Sequence, residues 1–233
     1  MAQRPIYLPS TDGPFLVQTR LVEFQWHAGL AVSQKQKSIA ALHAAACALD
    51  GIERLLEISS KSPEPLGVAL SAFNLSFTTR KQARTLSVEC AFQGSKVFER
   101  GGPYLDLLEV SSREAKKDPR LQQSGRLLGF SFFGEHWPLE PQTAFYDWLY
   151  LNALHKQPEL AGQLLDCSAF TDIEFNPERS LNCQAYSVAL YVALHRRRQL
   201  QDALSSRRAF LELLAGCELS NARENAAIQP GLF

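Results

Sequence analysis

A carboxylate, an amide and an amine recur at helical spacing in the segment after Ser87. Ser87 is a suitable N-cap, and a helix over residues 88–99 would place Glu89, Gln93 and Lys96 within about 60° of one another. The rest of that helix is small or apolar, so the stripe is either its solvated face or the lining of a pocket. In a pocket, burial would shift the pKa values of Glu89 and Lys96 toward neutrality, which suits acid–base or imine chemistry. Two helical turns, about 10 Å, would separate these two side chains, so each would contact a different part of a ligand.

Hydroxyl groups and an amine follow a strand predicted over residues 55–59. Ser59, Ser60 and Lys61, together with free backbone amides at a strand end, can hold a phosphate group. The alternative is an ordinary polar loop before a proline-rich turn.

Two carboxylates flank residue 173. If the segment is a strand, alternation places Asp172 and Glu174 on the same side. If it is a loop, a carboxylate there caps the backbone instead.

Several basic clusters interrupt an otherwise neutral chain. They are either solvated helix ends or, if they share one surface, a contact for a DNA backbone. The clusters are Arg80 and Lys81 with Arg84; Arg113, Lys116, Lys117 and Arg120; and residues 195–198 with Arg207 and Arg208.

The common catalytic signatures are missing from the sequence. It contains no HExxH, GxGxxG, P-loop or GxSxG pattern, and its histidines and cysteines lack metal-ligand spacing. Metal catalysis and a Ser–His triad are therefore not expected, and we predict neither a metal nor a cofactor.

The composition is typical of a globular protein. The chain has 233 residues, of which 45% are hydrophobic and 21% charged, and its 24 basic residues balance 24 acidic ones. Neutrality argues against a global basic field, and no apolar run reaches the roughly 20 residues of a membrane helix. The five cysteines include no CxxC pair, which fits a reducing compartment better than a disulfide framework. We therefore expect a soluble, cytoplasmic protein with no membrane contact.

Hydrophobic patterning predicts one helix-rich α+β domain, mainly α, over residues 1–217. Its strands would lie mostly in the N-terminal third, including an extension of strands and a helix over residues 1–50. The polar residues 218–233 are predicted to form a flexible tail.

Individual elements follow from the same patterning. Ser33 is predicted to cap the first long helix, and residues 68–77 to form a strand. Residues 143–156 are apolar on nearly every side, which is typical of a central buried helix, and residues 181–198 predict a second one.

The segment 89–96 resembles the signature of the NADAR (YbiA-like) family. In that signature a Glu is followed three and four residues later by an aromatic residue and Gln, and seven residues later by Lys. Further segments resemble family elements in the family's order: residues 70–73, 114–117, 152–165 and 172–174. The resemblance covers a core of about residues 55–192 and implies a mainly helical single-domain fold.

The chain looks closest to the antitoxin branch of that family, which is encoded beside a DNA ADP-ribosyltransferase toxin. Residues 22–26, 33–38 and 58–62 are similar to that branch. The resemblance implies an ADP-ribosyl glycohydrolase that removes ADP-ribose from guanine bases of DNA. The partners would be ADP-ribosylated DNA or ADP-ribosyl-guanosine, with a toxin complex left open. The alternatives are an N-glycosidase acting on a small riboflavin-pathway-like metabolite and a non-catalytic antitoxin that binds its toxin.

The resemblance and the residue chemistry together suggest roles in the site. Glu89 would be the catalytic carboxylate. Lys96 would act either as an ammonium, binding pyrophosphate or donating a proton, or as an amine that forms an imine with the opened sugar. Phe73 and Trp148 would stack on bases, although Trp148 also suits the core. The remaining predicted binding residues are Ser59, Ser60, Lys61, Ser71, Asn74, Gln93, Lys116, Asp172, Glu174 and Gln184.

The chain departs from the family pattern at two places. Ala72 replaces an Asn of the family, and residues 181–184 replace an Asp followed by Trp-Gly. Both departures concern how the nucleoside end of a ligand would be held.

Overall fold

The computed structural model describes residues 1–79, 83–178 and 180–218. Within them the chain is an α+β domain with 41% helix and 20% strand. The α+β prediction is confirmed, whereas the mainly-α label is not. The tail predicted over residues 218–233, apart from Glu218, and the basic residues Arg80 and Lys81 lie outside the described residues.

The strands form three sheets in the described part of the chain. They are β1 (Ala2–Pro9), β2 (Val17–Phe24), β3 (Leu55–Glu57), β4 (Ser76–Thr78), β5 (Thr85–Ser87), β6 (Lys96–Phe98), β7 (Leu127–Phe132), β8 (Glu135–Trp137) and β9 (Ala169–Thr171).

The largest sheet has the strand order β2-β1-β9-β3. β1 pairs antiparallel with both β2 and β9, and β3 runs parallel to β9. β4 and β5 form a hairpin, and β6, β7 and β8 form an antiparallel sheet. Four of the nine described strands, β1 to β4, lie in the N-terminal third as predicted, whereas the other five follow it, so the strands are spread more widely than predicted. Short strands inside a helix-rich region give only a weak pattern, and β6 and β9 pair with strands that are distant in the sequence.

The helices account for the larger part of the regular structure in the described residues. They are α1 (Val32–Cys47), α2 (Pro65–Ala69), α3 (Val88–Gly94), α4 (Ser112–Lys117), α5 (Arg120–Gln123), α6 (Ala144–His155), α7 (Pro158–Gln163), α8 (Gln184–Arg196), α9 (Leu200–Ser205) and α10 (Arg207–Ala215), with a 3-10 helix at Leu105–Leu108.

Two predictions for the first third of the chain are wrong. The N-cap of α1 is Ala31, which makes no side-chain cap bond, and not Ser33. The strand predicted over residues 68–77 is instead α2, a turn and then β4. Pro65 stands in the first turn of α2, where its fixed φ favours helix and its missing N–H costs nothing.

The main core is built around α6 and α8, which are buried along most of their length as predicted. Tyr150 of α6 is fully buried, and its hydroxyl donates to the Leu70 carbonyl at 2.5 Å. This bond ties the central helix to the turn that follows α2. A second core lies between α1 and the four-stranded sheet, where Ile6 and Val22 pack with Ile39 and Leu42.

Gly67 marks the tightest contact between α2 and the sheet. A Cβ at this position would lie 1.9 Å from the carbonyl oxygen of Glu57 and 2.4 Å from Oγ of Ser62. We expect Gly67→Ala to lower the free energy of unfolding by about 3 kcal/mol, because backbone must move to admit the methyl group. Urea unfolding measures this change. Gly162→Ala in α7 is the control, since nothing lies within 4 Å there, and equal stabilities of the two variants would contradict the prediction.

Candidate functional site

The short helix α3 carries the central pair of the site. Ser87 is its N-cap, as predicted, and accepts a hydrogen bond from the Cys90 N–H at 3.1 Å. Gln93 lies one turn after Glu89, and its amide Nε2 donates to Glu89 Oε1 at 2.8 Å. Glu89 is 5% exposed and Gln93 is 7% exposed. These two residues are therefore not a solvated face, and a buried carboxylate is held by a single side-chain amide.

Lys96 is not on this helix, contrary to the prediction. α3 ends at Gly94, and Lys96 begins β6 as the register partner of Phe130 in β7. The Ser95 carbonyl accepts a hydrogen bond from the Ser131 N–H at 2.7 Å. Hydrogen bonding to β7 therefore begins at the residue after the helix ends. The helical spacing between Glu89 and Lys96 therefore does not exist, although the two side chains still interact.

The ammonium group of Lys96 sits in an apolar setting. Its Nζ lies 4.8 Å from the centre of the Phe92 ring. Burial lowers the pKa of Lys96 to about 8; the charge of Glu89 acts against this, and that of Lys116 adds to it. A lysine with this pKa holds a substantial fraction of neutral amine near physiological pH.

A tight turn at residues 71–74 covers the start of α3. The Glu89 N–H donates to the Ala72 carbonyl at 2.9 Å, and the Ala72 N–H donates to Gln184 Oε1 at 2.8 Å. Two buried polar atoms here, Ser71 Oγ and Gln93 Oε1, have no partner among the described residues. Unpaired buried polar atoms are rare and unfavourable, so these two are available to a ligand.

The ring of Phe73 lies beneath an exposed cation. Lys116 Nζ, from α4, is 5.0 Å from its centre. Asn74 points elsewhere, since its amide Nδ2 donates to the Val68 carbonyl at 2.8 Å and stabilises the turn.

Asp172 lies just beyond β9 and is buried, whereas Glu174 is exposed. The two carboxylates therefore do not share one side, and the loop interpretation holds: Asp172 Oδ1 accepts from the Glu174 N–H at 3.0 Å. Glu174 instead pairs with Lys35 at 3.0 Å. Burial and the nearby charge of Glu57 raise the pKa of Asp172 to about 8, while a hydrogen bond with the Gln184 side chain acts against this.

Glu57 was not predicted as a site residue. It is fully buried, and it accepts hydrogen bonds from the Thr171 hydroxyl at 2.6 Å and from the Ile173 N–H at 2.9 Å. Burial raises its pKa as well. The one available signal was its position two residues before Ser59, the first residue of the predicted phosphate loop.

Tyr146 of α6 was predicted only as a core residue. Its ring meets that of Phe92 edge-on at 5.1 Å. Burial raises its pKa well above the ordinary value, and the charges of Glu89 and Asp172 raise it further. Tyr146 therefore lies within electrostatic range of both carboxylates, which no local pattern could indicate.

Four distant parts of the chain thus converge: α3 with β6, the turn at 71–74, the loop after β9 and the start of α8. The model for the DarT1-associated NADAR antitoxin family matches residues 2–224. The chain belongs to this family. A search of curated proteins found no match to this chain. The family match confirms the resemblance drawn from residues 89–96, and it includes the N-terminal extension that the resemblance did not cover.

In this NADAR antitoxin, the predicted phosphate loop is a compact turn. Ser59 is buried, its Oγ accepts from the Lys61 N–H at 3.2 Å, and the Ser62 N–H donates to its carbonyl at 3.1 Å. Ser60 is exposed and Lys61 half-buried. Ser59 also hydrogen-bonds Glu57, which connects this turn to Asp172.

Trp148 packs in the main core. Its ring centre lies 5.0 Å from that of Trp137, although its Nε1 has no partner among the described residues. This contact favours the packing role for Trp148 over base stacking.

In the described residues, most arginines of the predicted basic clusters bind carbonyl or carboxylate groups of the protein itself. Arg197 donates to the carbonyls of Ser10, Asp12 and Phe15. Arg120 pairs with Asp106 and Asp118. These arginines stabilise loops, so they do not form a free DNA-binding surface.

Residues 1–79, 83–178 and 180–218 contain no group of three or more His, Cys, Asp or Glu side chains that could hold a metal ion. No helix in these ranges has the length and apolar character needed to cross a membrane.

The raised pKa of Asp172 predicts a pH-dependent stability. Because the folded protein binds this proton more tightly than the unfolded chain, stability falls as the pH rises from the ordinary carboxyl range toward about 8. We expect Asp172→Asn to be more stable than wild type by about 2 kcal/mol at about pH 8.5 and close to it at about pH 4.5. Chemical unfolding across this range measures the difference.

Asp166→Asn is the matched control, because Asp166 is exposed. Part of the slope will remain in the Asp172 variant, since burial also raises the pKa of Asp147 to about 7. A pH dependence of Asp172→Asn identical to that of wild type would contradict the prediction.

Proposed function

We propose that this NADAR antitoxin is an ADP-ribosyl glycohydrolase that removes ADP-ribose from guanine bases of DNA and so reverses the modification made by a DarT toxin. Family membership supports the toxin-associated role. The observation that carries the catalytic part is the pairing of a buried carboxylate, Glu89, with a lysine, Lys96, whose burial brings its pKa to about 8.

The reaction breaks the bond between the anomeric carbon of the ribose and the exocyclic amine of guanine. Direct hydrolysis passes through an oxocarbenium-like state, with a carboxylate activating water and an acid protonating the leaving amine. Glu89 fits the first role and the Lys96 ammonium the second.

The lowered pKa of Lys96 favours an alternative route through an imine. The sugar ring opens, and the neutral amine of Lys96 forms a bond to the anomeric carbon. The bond from that carbon to the guanine nitrogen then breaks, and its electron pair leaves with guanine, which takes up a proton. Water adds to the resulting imine, and ADP-ribose and free Lys96 are released. Glu89 passes the protons between water, the ring oxygen and the leaving amine.

The surrounding polar groups suit the two ends of such a substrate. Ser71 Oγ and Gln93 Oε1 are buried and unpaired among the described residues, so they can bind hydroxyl or amine groups of the ribose or the base. Phe73, beneath Lys116, offers an aromatic face beside a cation for a base and a phosphate. Gln184 positions both the 71–74 turn and Asp172.

Ser59, Ser60 and Lys61 remain proposed phosphate ligands. The exposed Ser60 hydroxyl and the Lys61 ammonium are the groups that would meet an anion, because the Lys61 N–H already donates to Ser59 Oγ. Asn74 and Glu174 are exposed, but they would bind a ligand only by exchanging their contacts with the Val68 carbonyl and Lys35.

The test uses a DNA oligonucleotide carrying an ADP-ribosylated guanine, with released ADP-ribose followed by mass spectrometry. We expect multiple turnovers and restoration of the unmodified oligonucleotide. Turnover of ADP-ribosyl-guanosine but not of the oligonucleotide would instead support a small-metabolite N-glycosidase. No turnover of either substrate, together with stable co-purification with the toxin, would support a binding antitoxin.

A further inference from the structure

The hairpin joining β7 and β8 places an aromatic side chain in an unusual backbone conformation. Phe132 pairs with Glu135, so the loop consists of Phe133 and Gly134 alone. Their φ values are 47° and 85°, both in the left-handed region. The two-residue turn that joins β-strands requires positive φ at both positions and strongly favours Asn-Gly. Phe133 therefore stands where Asn is expected.

The fold gains little from a phenylalanine there. A left-handed conformation costs a residue with a Cβ about 1–2 kcal/mol. The side chain of Phe133 is 60% exposed, although its ring contacts that of Phe132 at 4.5 Å. Residues held in strained backbone conformations cluster at functional sites, which points to a contact between this exposed ring and an external partner.

The hairpin leads directly from the candidate site. Phe130 of β7 pairs with Lys96, and Phe133 lies three residues further along, about 10 Å at strand spacing. The centre of the Phe130 ring lies 5.4 Å from that of Phe92, and Lys96 lies over the Phe92 ring. Strand pairing and ring packing therefore both fix the position of the hairpin relative to Lys96.

The surroundings of the tip are not repulsive to an anion. The Glu135 carboxylate lies 3.6 Å from the Arg207 guanidinium, which offsets the negative charge of Glu135. Arg207 also donates a hydrogen bond to the His136 carbonyl. Lys156 lies 5.3 Å from the Phe77 ring, and that ring contacts Phe132 at 6.3 Å.

We propose that Phe133 stacks on an unpaired DNA base next to the ADP-ribosylated guanine while the modified nucleotide reaches Glu89. This inference rests on the proposed function and names the DNA strand, beyond the modified nucleoside, as part of the substrate. An exposed ring on a rigid hairpin suits stacking, which every base allows and which needs no base-specific hydrogen bonds. Because Glu89 is 5% exposed, a guanine still stacked between its neighbours would be held away from it, and a ring on the hairpin that continues from the strand paired with Lys96 can replace one neighbour.

The test compares Phe133→Asn and Phe133→Trp with wild type. Asn suits the left-handed turn, so that variant is expected to fold at least as stably while lacking the ring. We expect its KM for a single-stranded ADP-ribosylated oligonucleotide to rise about 10-fold, the scale of one base–aromatic stack. Its kcat/KM for ADP-ribosyl-guanosine should stay unchanged, and Phe133→Trp should keep the wild-type KM.

Leu105→Ala is the matched control, since Leu105 is 61% exposed but lies on the 3-10 helix. Affinity for an unmodified single-stranded oligonucleotide, measured by fluorescence anisotropy, gives a readout that does not depend on activity and should fall about 10-fold in Phe133→Asn alone. Unchanged oligonucleotide affinity, an equal loss on the nucleoside substrate, or weakened binding to the toxin without weaker DNA binding would each overturn the proposal. If wild type turns over neither substrate, the proposed function fails, and the anisotropy result still decides whether Phe133 contacts DNA.

Discussion

Replacing Glu89 with Gln should lower the rate of ADP-ribose release by about 10³-fold while leaving the fold intact. The amide cannot activate water or pass protons, so both chemical routes stop. The Gln93 amide now donates to Glu89 Oε1, and a Gln at this position offers the same carbonyl oxygen. The buried hydrogen bond is therefore retained. Single-turnover release from the modified oligonucleotide measures the rate.

Glu159→Gln is the control for Glu89→Gln, because Glu159 is an exposed carboxylate at the start of α7. Thermal unfolding of both variants separates lost chemistry from lost structure. A Glu89→Gln variant that keeps more than about a tenth of the wild-type rate would remove Glu89 from the catalytic role.

The second large effect concerns Lys96. Because burial lowers its pKa to about 8, its neutral amine increases about tenfold per pH unit below that value and then levels off. If Lys96 forms the imine, kcat should rise toward about pH 8, and Lys96→Arg should lose about 10³-fold, since a guanidinium stays charged. Borohydride added during turnover should leave an ADP-ribose adduct on Lys96, detected by peptide mass spectrometry.

Lys116→Gln identifies the group behind this pH profile. The charge of Lys116 lowers the pKa of Lys96, so removing it should move the rise in kcat to higher pH. A rate that falls above about pH 8, with no borohydride adduct, would instead assign Lys96 as the ammonium that protonates the leaving guanine.

Local patterns in the sequence predicted the elements that depend on near neighbours. Ser87 caps α3 because a hydroxyl before a helical segment accepts a free N–H, and Glu89 meets Gln93 because residues four apart adjoin on a helix. The buried helix α6 follows from apolar residues on nearly every side of the helix. The family resemblance was readable for the same reason, since its motifs are short and lie in order.

The same reasoning failed where a distant strand decided the outcome. Lys96 was placed on α3 because the helical pattern continues past Gly94, but pairing with Phe130 draws it into β6. Asp172 and Glu174 were candidates for one face, and the loop after β9 separates them. Neither result follows from the residues nearby, because each depends on a contact with another part of the chain.

By itself, the sequence determined which residues could do chemistry, the caps and the buried helices, and the family to which the chain belongs. Only the tertiary structure decided which of those residues meet, and which neighbours set their charge. Glu57 and Thr171 are 114 positions apart, yet the parallel pairing of β3 with β9 joins them and places Asp172 beside a buried carboxylate. Burial and charge proximity are properties of packing, so the pKa values of Lys96 and Asp172 could be explained only from the folded chain.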